Sequence, residues 1–138
     1  MGNRLTMNIP GNPEYVGTVR MAVAHIAKIA GFDIEAIDDI KVAVSEACSN
    51  VICHAHEDKE FTYDIYTELD EKGLTITVKD SGMGFGLEDY VEPDPGEPRG
   101  RGLGIFIIKA LMDEVSIDSA PGAGTNIIMT KYLRNGIV

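Results

Sequence analysis

The chain has no tryptophan, and aromatic residues make up only 7% of it. Any core must therefore rest mainly on aliphatic side chains. Cysteine is scarce as well: Cys48 and Cys53 are the two present. That excludes the disulfide framework of a small secreted domain. The two lie five residues apart in a helical pattern, with His54 and His56 close behind. A helix turns by about 500° over that spacing, so the thiols point apart and make no metal-ligand pair. Packed, reduced thiols in a cytoplasmic protein are the expectation. Basic residues are also few, with 12 Lys and Arg against 22 Asp and Glu, a formal net charge of −10. Such a balance excludes nucleic-acid binding, which depends on Lys and Arg neutralising phosphates. It suits no anionic membrane either. Long apolar runs are missing, so nothing approaches the roughly 20 residues of a transmembrane helix. No signal peptide is expected. Met1-Gly2-Asn3-Arg4-Leu5-Thr6 fits a myristoylation pattern, but no polybasic patch supports it. It reads as the start of a strand.

What is present is ordinary globular material: 138 residues, 44% hydrophobic and 25% charged. That is one domain, long enough to bury a core without disulfides or metal. Leu5, Met7 and Ile9 alternate with polar neighbours, as in a half-buried strand. Asn12-Pro13 supplies an N-cap and a proline at the first helical position. The helix continues through Val16, Val19, Val23, Ile26 and Ile29–Ala30, and Gly31 stops it. Asp33 caps a second helix with an apolar stripe at Ile34, Ile37, Ile40, Val44, Ala47 and Val51.

Two alternating runs follow, Phe61–Leu69 and Leu74–Val78, joined by the turn Asp70-Glu71-Lys72-Gly73. They predict an antiparallel hairpin. A third helix is expected around Ile105–Met112, and two more strands at Val115–Ser119 and Thr125–Leu133. The order βααββαββ implies an α+β fold, one sheet with its helices on one face.

Three glycine clusters stand out: Gly82 and Gly84 after Asp80, then Gly100-Arg101-Gly102-Leu103-Gly104, then Gly122-Ala123-Gly124-Thr125. Glycine lets backbone N–H groups approach a phosphate. The second cluster opens a helix, whose N-terminus favours anions. It is not a P-loop, since no Gly-Lys-Ser/Thr follows, and not a dinucleotide fingerprint, since the order is not βαβ. On the second helix, Glu46 and Asn50 lie four residues apart on one face. On the helix alone, a solvated edge explains them as well as a site does. Beside the glycine clusters, a general base and a Mg²⁺-holding amide become the better reading.

Ser45-Glu46-Ala47-Cys48-Ser49-Asn50 resembles the N-box of the GHKL ATPase superfamily of histidine kinases, gyrases, Hsp90 and MutL. Asp80-Ser81-Gly82-Met83-Gly84 resembles its first glycine box, Gly100–Gly104 the second and Gly124-Thr125 the last, all in family order. Lys41–Ala47, Leu111–Val115 and Met129–Leu133 resemble the wording of bacterial anti-sigma factors that are also serine-protein kinases, the RsbW/SpoIIAB type. The resemblance implies a Bergerat two-layer sandwich with a mixed, largely antiparallel sheet. It implies a domain over residues 1–138 that binds ATP or ADP with Mg²⁺. Such a protein phosphorylates a serine on an anti-anti-sigma protein of STAS type, sequesters a sigma factor, and forms a homodimer.

Roles follow by the same resemblance. Glu46 is the general base and Asn50 the Mg²⁺ ligand. Asp80 accepts from the adenine amino group, with Thr125 supporting that contact. Gly82 and Gly84 admit the nucleotide, and Gly102, Leu103 and Gly104 frame the phosphates. Arg101 either meets the γ-phosphate or faces solvent. Arg20 is placed like a family arginine that contacts both protein partners. Phe85–Arg99 has no clear period and holds three prolines and five acids. A lid over ATP at about 85–101 is expected there. Two alternatives stay open: a non-catalytic ATP-binding partner switch, and a stand-alone histidine-kinase-like ATPase domain. Glu46 favours catalysis, since a pure binder needs no base.

Overall fold

The computed structural model describes residues 3–54, 61–80, 103–120 and 124–134. The alternating start of the chain forms strand β1 (Asn3–Pro10). Asn12 then accepts from the Glu14 N–H and starts a short 3-10 turn at Pro13–Tyr15. Helix α1 (Val16–Ala30) continues from it. Gly31 ends α1 with φ of 100°, a left-handed conformation that glycine adopts without a Cβ clash. The next N–H, from Phe32, reaches back to the Ala27 carbonyl at 3.2 Å. Asp33 Oδ1 accepts from the Ala36 N–H at 2.8 Å, so the expected cap opens α2 (Ile34–His54).

The remaining elements are β2 (Thr62–Leu69), β3 (Gly73–Asp80), α3 (Leu103–Leu111), β4 (Glu114–Ala120) and β5 (Gly124–Tyr132). At the β2–β3 turn, Asp70 Oδ1 accepts from the Lys72 and Gly73 N–H groups at 2.8 and 3.0 Å. The sheet order is β1-β2-β3-β5-β4. A mixed sheet was expected, but all four pairings among the described strands are antiparallel. The reason lies in the connections. The β2–β3 and β4–β5 hairpins return directly, the α1–α2 excursion delivers the chain from β1 to its antiparallel neighbour β2, and the α3 excursion skips one strand position, which β5 then fills antiparallel to both β3 and β4.

One sheet face carries the core. Tyr63, Ile65, Leu74, Ile76, Val78, Ile127 and Met129 are buried on it. Helix α2 supplies the matching face with Ile40, Ala43, Val44, Ala47, Cys48 and Val51, and α1 adds Val19, Val23 and Ala27. Burying each Val, Ile, Leu or Met side chain among these stabilises the fold by roughly 1.5–3 kcal/mol. Ile29 and Ile34 depart from their expected stripes, at 66% and 77% exposed. They flank the α1–α2 turn, Ile29 in the last turn of α1 and Ile34 as the first residue of α2, while Phe32 between them is buried. The Bergerat two-layer arrangement is thus an α+β fold with one sheet and one helical layer.

Candidate functional site

Antiparallel pairing decides which residues meet at each end of the sheet. The last residue of β3, Asp80, stands directly opposite Thr125 at the start of β5. Both are buried, at 5% and 3% exposed. A carboxylate and a hydroxyl therefore share one position at the sheet end. Successive residues along a strand alternate in side-chain direction, so Asp80 faces the helical layer like Ile76 and Val78.

Helix α2 brings the next pair. Glu46 and Asn50 are both half-buried, one helical turn apart. Gly104, the second residue of α3, closes against Glu46. A Cβ built at Gly104 would stand 3.0 Å from Glu46 Oε1 and 3.8 Å from Glu46 Cβ. Only a bare backbone fits this closely without moving the carboxylate. The first turn of α3, where Leu103 and Gly104 lie, carries backbone N–H groups that the helix itself does not satisfy. A carboxylate and an anion-attracting helix start are thus side by side.

Asn50 shows a further sign of incompleteness. Its Nδ2 atom is buried with no hydrogen-bond partner. Amide oxygen and nitrogen exchange places by a half-turn of the side chain. With the oxygen in that position, Asn50 presents the hard donor that Mg²⁺ takes. The residue therefore fits the metal that the fold implies.

Arg20 lies on α1, half-buried. Its Nη1 donates to Ser45 Oγ at 3.0 Å, next to Glu46 in sequence. Sequence reasoning passed over Ser45 in this role. The short Gly31-Phe32-Asp33 connection was the available signal, because an antiparallel α1–α2 pair sets residues 20 and 45 opposite each other. Gly82, Gly84, Arg101, Gly102 and the expected lid over 85–101 lie outside the described residues.

Behind Asn50, Cys48 is fully buried, whereas Cys53 is exposed, so only one of the expected packed thiols is packed. Burial pushes the Cys48 thiol up to about 11, with the Tyr63 hydroxyl pulling it partly back. Tyr63 is raised too, first by burial and then by the nearby thiol. The Tyr63 hydroxyl makes no hydrogen bond of ordinary geometry, so this is a packing contact more than a bond.

A cleft of about 450 Å³ opens at the other end of the sheet, lined by Phe32, Ala36, Asp39, Lys131 and Leu133. Its buried cation is already committed. Lys131 Nζ donates to the Leu111 carbonyl at 2.6 Å and to Asp39 Oδ2 at 3.4 Å. Those bonds tie α3 and α2 to β5. The candidate site residues gather at the Asp80 end instead.

Residues 9–131 match the family described as histidine kinase-like ATPase domain. The chain belongs to that family. A serine-protein kinase RsbW of Listeria innocua is 40% identical, with 96% of this chain and 89% of that protein covered. A serine-protein kinase RsbW of Oceanobacillus iheyensis is 38% identical, with 94% and 86% covered. Among solved structures, the RsbU and RsbW domains of a Mycobacterium tuberculosis protein superpose with a TM-score of 0.70 at 21% identity. That match covers 94% of this chain and 32% of the longer one. The histidine kinase domain of a blue-light activated kinase from Erythrobacter litoralis gives a TM-score of 0.56 at 23% identity, over 89% and 61%. The sheet and helical layer are thus those of histidine kinase-like ATPase domains. The relatives named as RsbW kinases extend along nearly the whole chain. No described helix is long and apolar enough to cross a membrane.

Proposed function

We propose that this chain is an ATP-dependent serine-protein kinase that also binds and inhibits a sigma factor. Its phosphoryl acceptor is a serine of an anti-anti-sigma protein. The observation that carries the reading is the closeness of Glu46 to Gly104. A base stands at the mouth of a phosphate-binding helix start, and a pure nucleotide binder has no use for one. The relatives named serine-protein kinase support the same reading.

In this mechanism, Asp80 and Thr125 hold the adenine end at the rim of the sheet. The N–H groups opening α3, at Leu103 and Gly104, receive phosphate oxygens. Mg²⁺, when bound, neutralises phosphate charge, and Asn50 is the residue to hold it. Glu46 accepts the proton as the acceptor serine O–H bond breaks. The serine oxygen forms its bond to the γ-phosphorus, and the bond to the β–γ bridging oxygen breaks. That electron pair leaves on ADP. Positioning and charge neutralisation do most of the work in such a transfer.

Family resemblance assigns the rest. By that resemblance Gly82, Gly84 and Gly102 would line the nucleotide and residues 85–101 would form the lid, while Arg101 is left to either the γ-phosphate or solvent. Arg20 contacts both protein partners, and the working unit is a homodimer in the cytoplasm.

The experiment is a transfer assay. The protein is mixed with Mg-ATP and its anti-anti-sigma protein, and phosphoserine is read by mass spectrometry. Wild type transfers phosphate, and Glu46→Ala binds ATP without transferring it. Transfer by Glu46→Ala at the wild-type rate would remove Glu46 as the base.

A further inference from the structure

The Arg20–Ser45 contact has a direction that goes beyond helix packing. Ser45 has one hydroxyl proton, and Oγ donates it to the Lys41 carbonyl at 2.8 Å. Its lone pairs are what remain for Arg20, whose Nη1 donates to them at 3.0 Å. The guanidinium is therefore held by a neutral acceptor. Its other side is shaped too: a Cβ at Gly17 would stand 3.4 Å from Arg20 Nη2. The guanidinium thus lies back along α1, over Gly17.

Ion pairs among the described residues are Arg4–Glu68, Lys131–Asp39 and Arg134–Asp113. None of them takes up Arg20. In a chain of net charge −10, a half-buried guanidinium without a carboxylate is unusual. Guanidinium carries five donors in a planar fork, and Ser45 uses one. A carboxylate is the ligand whose two oxygens match that fork. Ser45 and Glu46 are consecutive on α2, about 100° apart around the axis. Arg20, bonded to Ser45, therefore lies beside the helix position that precedes Glu46.

The geometry points to Ser45 as a positioning residue for the protein substrate: it fixes the Arg20 guanidinium as a receptor for an acidic side chain near the acceptor serine. This rests on the kinase reading above and on Arg20 as a partner contact. Ser45 touches neither nucleotide nor hydroxyl in this scheme and acts through Arg20 alone. If the bond is only a strut between α1 and α2, its loss lowers the melting temperature and leaves substrate kinetics alone.

Steady-state phosphorylation of the anti-anti-sigma protein separates the cases. Ser45→Ala raises the KM for that protein about tenfold, the worth of one charged hydrogen bond. Its kcat and its KM for ATP stay within about twofold of wild type. Ser45→Thr, which keeps the hydroxyl, restores the KM. Arg20→Ala raises the same KM, and adding Ser45→Ala to it changes nothing further. Additive effects in the double variant would overturn the proposal. So would a fall in kcat at constant KM, which places Ser45 on Glu46 instead, or an unchanged KM with a lowered melting temperature.

Should Ser45→Ala unfold, Arg20→Lys carries the test. It keeps the charge and loses the fork, so a raised KM supports the proposal and an unchanged one refutes it. If wild type transfers no phosphate at all, the kinase reading fails. Calorimetric binding of the same acceptor protein in the presence of ATP then decides. Coupled losses in the two single variants support docking at Arg20, and wild-type affinity in both refutes it.

Discussion

Gly104→Ala sets stability and activity against each other. In helix propensity alone, alanine is favoured over glycine by up to about 1 kcal/mol. Part of this arises because the unfolded chain loses freedom. Gly104 is the second residue of α3, so the gain there is smaller, about 0.5 kcal/mol. Against it stands the new Cβ, 3.0 Å from Glu46 Oε1. That is tighter than an ordinary carbon–oxygen contact by a few tenths of an ångström. Glu46 is half-buried on a flexible stem, so its carboxylate can yield at little cost. The fold thus keeps its stability or gains slightly, by about 1–3 °C in Tm.

Catalysis goes the other way. A misplacement of about 1 Å costs on the order of 100-fold in a positioned reaction. A displacement of a few tenths of an ångström then lowers kcat by about three- to tenfold. The assay pairs thermal unfolding with phosphorylation of the anti-anti-sigma protein at saturating ATP. A folded Gly104→Ala protein with unchanged kcat would refute the placement of Glu46 as base beside α3. A loss confined to ATP affinity would also refute it, since the glycine would then serve only the nucleotide.

Three further outcomes follow from single residues. Asn50→Ala removes a buried amide whose Nδ2 has no partner, so the melting temperature holds or rises while Mg²⁺-dependent nucleotide binding is lost. Titration calorimetry with and without Mg²⁺ reads this, and undiminished metal dependence would exclude the ligand role. Asp80→Asn removes one acceptor from the buried Asp80–Thr125 position, and ATP affinity falls about 10- to 100-fold, the range for a bond to a charged group. Equal ATP affinity in the folded variant would contradict the adenine role. Cys48 titrates near 9.0 when free and is pushed up to about 11 in the fold. Between those values the unfolded chain has lost the proton and the native chain keeps it. Stability is therefore full below pH 9 and declines up to about pH 11, by roughly 2–3 kcal/mol. Urea unfolding of Cys48→Ala against wild type across that window isolates the effect, and parallel curves would refute it.

Local chemistry explains most of what was legible in advance. Asn12, Gly31, Asp33 and Asp70 each act on backbone groups within a few residues, so their meaning does not wait for the fold. The same holds for Glu46 and Asn50, which helical spacing alone puts on one face. Strand order is different. Adjacent hairpins suggest β2–β3 and β4–β5, but the β1–β2 and β3–β5 pairings join segments far apart in the chain. No local signal carries them. The face-to-face position of Asp80 and Thr125 depends on that β3–β5 register, and the closeness of Gly104 to Glu46 depends on α3 docking against α2. The exposed Ile34 misleads for a different reason: its spacing matches the stripe, but as the first residue of α2 it stays in solvent while Phe32, Ile37 and Ile40 pack into the core.

The acidic balance constrains this design more than it first appears to. A net charge of −10 disfavours a polyanionic ligand only where the ligand feels the whole surface. At physiological salt, charges beyond about 8 Å are largely screened. What a triphosphate would meet in the proposed site is local: helix-start N–H groups at Leu103 and Gly104, and an amide at Asn50. None of these enters a Lys and Arg count, and none titrates near neutral pH. The same reasoning gives Arg20 its weight. A cation held by a neutral hydroxyl keeps its charge for a visitor, whereas one paired with an internal carboxylate has already spent it. In an acidic protein the cations without a carboxylate partner are therefore the informative ones, and this one is held by Ser45, the residue next to the proposed base.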